Sequence, residues 1–355
     1  MNLDSRWSER LAALEERGLR RNLQALEMCG PTQARIGNQD VHVFSSNDYL
    51  GLAFHPDVQA AWASGGSGSS RLIAGTRPAH LELELALEEH FGRPALVFSS
   101  GYQANLAVLS TLLDAKTCVG SDRLNHASLI DGLRLSACSV DILDHGQASG
   151  DVDVHVVESL YSMDGDSPDL TIYSEKPLIV DEAHAVGCVG PKGCGVAASQ
   201  NVVPDILVGT FGKAYGAAGA FVLCSETAKA LLVSMGRSFV YSTALADGAA
   251  RAALIGLRLA DDARREALVN NTNRFRSGIA RLGLKTTGSA HIVPVVLGAD
   301  TMSAANALLD EGFFVPGIRF PTVESGQERL RFSLSSAHSF KQIDAALEAL
   351  ARCCR

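Results

Sequence analysis

Short apolar runs alternate with longer amphipathic stretches along this chain, and that alternation predicts its architecture. The runs are Val41–Phe44, Ala95–Phe98, Thr117–Val119, Val140–Leu143, Val154–Val157, Leu178–Val180, Ile206–Val208 and Ala220–Leu223. Continuous apolar runs separated by helical segments are expected of strands covered on both faces of a sheet. The pattern predicts an α/β fold with a mainly parallel sheet. Upstream, residues 6 to 27 read as one amphipathic helix. Downstream, residues 246 to 284 are rich in alanine, leucine and arginine and read as helical. From residue 292 the order changes: strand (292–297), helix (303–311), strand (313–316), strand (330–335), helix (340–352). Ser339 followed three residues later by Gln342 fits a capping box, and Ile343, Leu347 and Leu350 then share one face. This tail predicts a second, smaller α+β domain. The expected organisation is an N-terminal helix and short strand (1–44), a large domain (45–245) and a small C-terminal domain (246–355). No internal repeat or low-complexity tract interrupts it.

Composition narrows the function without choosing it. The 355 residues are 46% hydrophobic and 20% charged, a globular balance with enough length for two domains sharing a core. A net charge of -8 offers no basic field for nucleic acid, so no nucleic-acid partner is expected. No stretch approaches the roughly 20 apolar residues of a membrane span. The segment from Met1 to Arg21 is charged and lacks the apolar centre of a signal sequence, which makes the cytoplasm the expected compartment. Eight cysteines are scattered without a C-x-x-C pair, which reads as reduced thiols rather than a disulfide framework or a zinc site. No metal is expected.

Candidate chemistry sits just after the apolar runs, because ligands of an open parallel sheet gather at the carboxyl ends of its strands. Leu178–Val180 leads into Asp181, Glu182, Ala183 and His184. Ile206–Val208 leads into Thr210 and then Lys213, in a turn walled by Gly209, Gly212 and Gly216. A strand-end carboxylate beside a lysine in a glycine-rich turn suggests a pyridoxal phosphate site. The lysine forms a Schiff base with the aldehyde, and the aspartate keeps the pyridine nitrogen protonated so that the ring takes up electrons. A phosphate-binding G-x-x-x-x-G-K-[ST] loop fails, because Ala214 follows the lysine. Gly101 and Tyr102 open a helix after Ala95–Phe98, and their N–H groups suit a phosphate. His126 follows Thr117–Val119 at a place where its ring could stack on the pyridine. Glu158 and Ser159 follow Val154–Val157, and Ser162 to Asp166 come close behind. Each feature alone has a plainer reading: His126 as a structural histidine, Asp181 as a helix cap, Ser162 to Asp166 as a turn. Their convergence on successive strand ends favours one cofactor.

Nine stretches, in this order, carry a resemblance. They are Ser45–Leu52 (SSNDYLGL), Gly68–Leu72 (GSSRL), Ser100–Asn105 (SGYQAN), Asn125–Leu129 (NHASL), Ser162–Asp166 (SMDGD), Asp181–His184 (DEAH), Thr210–Lys213 (TFGK), Tyr241–Thr243 (YST) and Arg329–Phe332 (RLRF). Together they resemble the α-oxoamine synthase family of fold-type I pyridoxal phosphate enzymes, from about residue 5 to the end of the chain. The resemblance implies a seven-stranded, mainly parallel sheet in the large domain and pyridoxal 5'-phosphate as cofactor. It implies that Lys213 holds the cofactor aldehyde, Asp181 pairs with the pyridine nitrogen, His184 bonds the phenolic oxygen and His126 stacks on the ring. Gly101, Tyr102 and Thr210 would hold the phosphate, with Thr243 reaching it from a neighbouring subunit of a homodimer. Ser162 would line the cofactor site. Arg331 would take the amino-acid carboxylate as a bidentate pair, a geometry arginine suits better than lysine. Asn47 and Arg20 would face substrate.

The implied activity is that of an acyltransferase. L-alanine would condense with a pimeloyl thioester, carried by coenzyme A or acyl carrier protein, with loss of carbon dioxide, in biotin synthesis. The residues Leu129 to Leu135 also resemble relatives that join glycine to an acetyl group. An aminotransferase without a thioester, a cofactor-free binding scaffold and a nicotinamide oxidoreductase are the readings from other classes, the last lacking any G-x-G-x-x-G after the first strands. The chain is shorter than the family pattern between Asp144 and Val154 and between Asp169 and Lys176, where surface helices are expected to be trimmed.

Overall fold

The computed structural model describes residues 2–354. Its central sheet has seven strands: β1 (Ala95–Phe98), β2 (Cys118–Asp122), β3 (Ser139–Leu143), β4 (Val154–Glu158), β5 (Leu178–Asp181), β6 (Ile206–Thr210) and β7 (Ala220–Leu223). Their spatial order is β1-β7-β6-β5-β4-β2-β3. Strands β2 to β6 pair in parallel, and β7 runs antiparallel to both β1 and β6. The expected α/β fold with a mainly parallel sheet is therefore present, and seven of the eight apolar runs are its strands, the run at Val41–Phe44 falling in a separate N-terminal sheet.

Every residue of β1, β4, β5, β6 and β7 is buried, because helices cover both faces. Successive side chains point to opposite faces. Leu96, Phe98, Val156, Val208 and Val222 pack with Val108 and Leu109 of the helix Gly101–Leu112 and with Leu129 and Leu133 of Ala127–Ser136. Val97, Leu207, Phe221 and Leu223 pack with Leu83 and Leu87 of Pro78–Phe91 and with Leu254 and Leu257 of Asp247–Leu259. Each such side chain contributes about 1.5–3 kcal/mol of transfer free energy when fully buried. The edge strand β3 differs: it is largely exposed, with Ile142 71% accessible. The connection from β3 to β4, residues 144–153, contains no helix, and the one from β4 to β5 contains only the short 3-10 turn Leu170–Tyr173.

Beyond the sheet, the strands Ile292–Val296, Arg329–Ser333 and Gly317–Ile318 form an antiparallel sheet backed by the helices Asp262–Arg281, Thr301–Asp310 and Phe340–Cys353. Phe275, Ile279, Leu308, Phe332, Ile343, Leu347 and Leu350 make its core. Phe44, Tyr49 and Leu50, which lead from the N-terminal strands into the large sheet region, belong to the same core. The capping box at Ser339 and Gln342 is formed.

Several local expectations need correction. The predicted helix over 6 to 27 is a helix over Leu3–Glu16 only. Gly18, at φ +63°, ends it: the Leu19 N–H reaches the Leu14 carbonyl at 2.7 Å and the Gly18 N–H reaches Glu15 at 2.9 Å. Residues after it instead form the strand Glu27–Gly30, which pairs with Gln33–Ile36, which in turn pairs with Gln39–Val43. The predicted strand over 313 to 316 shrinks to Phe313–Phe314 and joins this N-terminal sheet, parallel to Gln39–Val43. The helical stretch 246 to 284 breaks in two at Asp261, whose side chain caps the second helix through the Arg264 N–H.

Candidate active site

The carboxyl ends of β2, β4, β5 and β6 converge on one cluster of buried polar side chains. Asp181 closes β5, and its parallel neighbour across the ladder is Glu158, which closes β4. The Asp181 carboxylate is buried and accepts from the Asn105 amide at 2.7 Å and from the Ala183 N–H at 2.9 Å. Both donors are neutral, so this buried anion lacks a cationic hydrogen-bond partner in its own chain. Glu158 is fully buried, and burial followed by the Asp181 charge pushes its carboxyl well above the usual range, while Lys213 pulls the other way.

Lys213 lies in the turn between β6 and β7. Burial brings its amine down to about 8, against the opposing pull of Asp181 and Glu158. An amine near neutrality is one that can be both a nucleophile and a proton acceptor. Thr210 shapes this turn: its hydroxyl donates to the Gly219 carbonyl at 2.9 Å and accepts from the Gly212 N–H at 3.2 Å.

His184 is buried three residues after Asp181. Burial, then the charges of Lys213 and Arg331, hold its imidazole well below its ordinary pKa, so it is neutral. Its Nδ1 lies 2.7 Å from the Tyr49 hydroxyl, which donates to Asn47 Oδ1 at 3.0 Å. Asn47 Oδ1 also faces the Arg331 guanidinium at 3.4 Å. Arg331 is buried, with Nε donating to the Ser162 carbonyl at 2.5 Å and Nη1 to the Ser333 hydroxyl at 3.0 Å. All of these partners are neutral. The site thus holds a buried anion and a buried cation, each without a charged hydrogen-bond partner, and an unpaired buried charge is costly unless a ligand compensates it.

His126 caps the helix Ala127–Ser136, with Nδ1 accepting from the Ser128 N–H at 3.2 Å. Its ring is exposed and lies edge-on to Tyr102 at 6.2 Å. The Ser128 hydroxyl is also 2.8 Å from His126 Nδ1 and accepts from Asn105 at 2.9 Å, so one chain of hydrogen bonds links the His126 ring to Asp181. Gly101 and Tyr102 form the first turn of the helix Gly101–Leu112, capped by Ser100 at the Gln103 N–H. Added side-chain bulk at Gly101 would meet only open space. A phosphate suits such a terminus. The Tyr102 hydroxyl is engaged by Asp131.

Two predicted residues lie apart from this cluster. Arg20 is exposed and pairs with Glu15 at 3.0 Å, while its carbonyl accepts from Arg319 at 3.3 Å. Thr243 is exposed, and its carbonyl accepts from the Ser99 hydroxyl at 3.0 Å. Sequence reasoning named neither Asn105 nor Tyr49 as part of the site. Asn105 stands four residues after Gly101, one helical turn on, and Tyr49 two residues after Asn47, which are the only local signals for them.

The residues present fit pyridoxal phosphate: Asp181 awaits a cationic nitrogen, Lys213 an aldehyde, and the Gly101 helix terminus an anion. A cavity of about 330 Å³ is lined by Leu124, Ser162, Met163, Thr322, Val323 and Arg329 among others, and shares Ser162 with the cluster. Among the described residues no histidine, cysteine and carboxylate group is arranged to hold a metal, and no helix is long and apolar enough to cross a membrane.

Comparison with known proteins agrees with this geometry. The class I and II aminotransferase family matches residues 39–350. An 8-amino-7-oxononanoate synthase of Alcanivorax borkumensis is 41% identical over 363 aligned positions, covering 93% of this chain and 94% of the relative. Those 363 positions exceed the 355 residues of this chain, so the relative carries residues that this chain lacks. Among solved structures, a serine palmitoyltransferase variant of S. paucimobilis with bound PLP and myriocin superposes with a TM-score of 0.91 at 28% identity, covering 99% of this chain and 98% of that one. An 8-amino-7-oxononanoate synthase of Francisella tularensis gives 0.77 at 28% identity, covering 88% of this chain and 97% of that one. The chain belongs to the class I and II aminotransferase family, in its α-oxoamine synthase branch of fold-type I pyridoxal phosphate enzymes.

Proposed function

We propose that this protein is a pyridoxal 5'-phosphate-dependent acyltransferase that joins L-alanine to a pimeloyl thioester. It releases carbon dioxide and the free thiol and forms 8-amino-7-oxononanoate for biotin synthesis. The observation that carries the reading is the pair of buried charged groups, Asp181 and Arg331, that hydrogen-bond only to neutral partners and act on a lysine whose amine is brought down to about 8. The names of the full-length relatives support the choice of amino acid and acyl group.

When bound, the cofactor supplies an aldehyde to hold the amino acid and a ring that takes up the electron pair left at its Cα. Asp181 holds a proton at the ring nitrogen, which keeps that ring electron-poor. Neutral His184 meets the phenolic oxygen, and His126 covers one face. The N–H groups of Gly101 and Tyr102, with Thr210, hold the phosphate, and Thr243 of a second copy completes that grip in a homodimer. Arg331 takes the carboxylate of alanine, steadied by Asn47 and by the carbonyl of Ser162. Once displaced, the Lys213 amine takes the Cα proton, since a base titrating near the working pH is best matched to that transfer. Arg20 reaches substrate from the N-terminal segment, and the thiol carrier is coenzyme A or acyl carrier protein. All eight cysteines are unpaired, which supports a reducing, cytoplasmic setting.

Mass spectrometry of the product tests the reading. Purified enzyme is given alanine, glycine or serine with pimeloyl-, acetyl- or palmitoyl-CoA. Efficient turnover of alanine with pimeloyl-CoA, giving an amino ketone shorter by carbon dioxide, is expected. Preference for any other pair overturns the substrate assignment, and amino-group exchange with keto acids without thiol release overturns the reaction class.

A further inference from the structure

One side chain outside the cluster connects the segment carrying His126 to the segment carrying Ser162. His145 lies in the helix-free connection between β3 and β4. Its Nδ1 is 2.9 Å from Asp122 Oδ2, and its Nε2 is 2.7 Å from Asp166 Oδ2. An ionised carboxylate only accepts hydrogen bonds, and a neutral imidazole has a single N–H. Only an imidazolium can donate to both neighbours.

The two carboxylates are well placed to need it. Asp122 closes β2, four residues before His126. Its Oδ1 accepts from the Leu124 N–H at 2.8 Å and its Oδ2 from the Gly146 N–H at 2.9 Å. Asp166 ends the loop that begins with Ser162, and its other carboxylate oxygen is buried without a partner. The same loop folds back on itself, with the Tyr161 N–H donating to the Asp166 carbonyl at 3.0 Å. The Tyr161 ring meets the His145 ring edge-on at 4.5 Å. Asp122, Asp166 and Tyr161 are thus the groups that face His145. The loop's far side is fixed by Gly165, at φ +65°, where a side chain would run into the Ile292 carbonyl.

We propose that His145 is a positioning residue for the reaction, tying the His126 turn to the Ser162–Asp166 loop so that the stacking ring and the carbonyl orienting Arg331 keep a fixed separation. It rests on the proposed roles of His126 and Arg331. Hydrogen bonds donated to Asp122 and then to Asp166 outweigh burial and raise the His145 pKa to about 10, in keeping with the doubly donating form. In a chain whose β3–β4 connection lacks a helix, this ion triplet supplies the link between the two segments.

The test has two arms on the holoenzyme. Side-chain 15N NMR of histidine-labelled protein, with His145→Asn identifying the signal, reads the two ring nitrogens. Both protonated at pH 8 is the expected result, and a neutral ring at pH 8 overturns the proposal. In the second arm L-alanine alone is titrated against the visible absorbance of the cofactor. His145→Ala is expected to weaken alanine binding about tenfold and His145→Gln, which keeps one N–H, by less. Wild-type alanine affinity in folded His145→Gln and His145→Ala overturns the proposal. If wild-type protein itself fails to bind alanine, the substrate assignment falls, and the NMR arm still decides the role of His145.

Discussion

Two neighbouring shells of buried charge use the same residue types to opposite ends. In the outer shell Arg329 is paired with a carboxylate, and Glu182 is held by three neutral donors. Glu182 accepts from the Ser159 hydroxyl at 2.6 Å and from the N–H groups of Val196 and Ala197 at 3.0 and 2.7 Å. Arg329 is held by Asp164 at 2.5 Å and by the carbonyls of Gln327 and Met163. In the inner shell Asp181, one residue before Glu182, and Arg331, two residues after Arg329, meet only neutral groups. Positions one or two residues apart therefore divide the work: one member fixes the backbone and the other waits for a ligand. The difference lies in what remains unsatisfied, which neither residue type nor burial alone reveals.

Breaking the inner shell should cost activity. Lys213→Ala should lower kcat at least about 1000-fold and abolish the visible absorbance of the bound cofactor, with Tm nearly unchanged. Arg331→Ala should raise KM for the amino acid roughly 30- to 100-fold, the loss expected for a charged hydrogen-bond pair, while Arg331→Lys recovers only part because it cannot bind a carboxylate bidentately. The Lys213 amine, lowered to about 8, must be neutral to accept a proton, so kcat should fall with acidity below that value, approaching about tenfold per pH unit. A flat profile from pH 6 to 9 would remove Lys213 from proton transfer. Breaking the outer shell should cost stability instead. Glu182→Ala strands two buried N–H groups and a hydroxyl, and should lose about 1–3 kcal/mol by denaturant unfolding while KM for the amino acid holds. A large KM change in that variant would erase the distinction between the shells.

The large sheet was legible because burial on both faces demands unbroken apolar runs, and no other element imitates them so well at that length. Asp181, His184 and Lys213 were legible for a related reason, since they follow such runs within five residues. The N-terminal strands were not: Glu27–Gly30 and Gln33–Ile36 are mostly exposed and only four residues each, too short for alternation to mark them. Nor did the sequence reveal that residues 6 to 27 contain a Schellman turn at Gly18, because the charged pattern continues past it. The partners of the site escape sequence reading for a third reason, which is distance along the chain. Asn105 meets Asp181 across 76 positions, and Arg331 meets Ser162 across 169. Arg20 and Thr243 are exposed, engaged by Glu15 and by the Ser99 hydroxyl.

The antiparallel course of β7 has a consequence for how the molecule tolerates change. Since β6 and β7 are hairpin neighbours, Lys213 sits in a nine-residue connection, 211–219, clamped at both ends within the sheet, with Ala220 in register against both Phe98 and Thr210. The β3–β4 connection instead starts from an exposed edge strand paired on one side only. Length variation is thus absorbed at the rim of the sheet, while the segment bearing the amine is held to a fixed count.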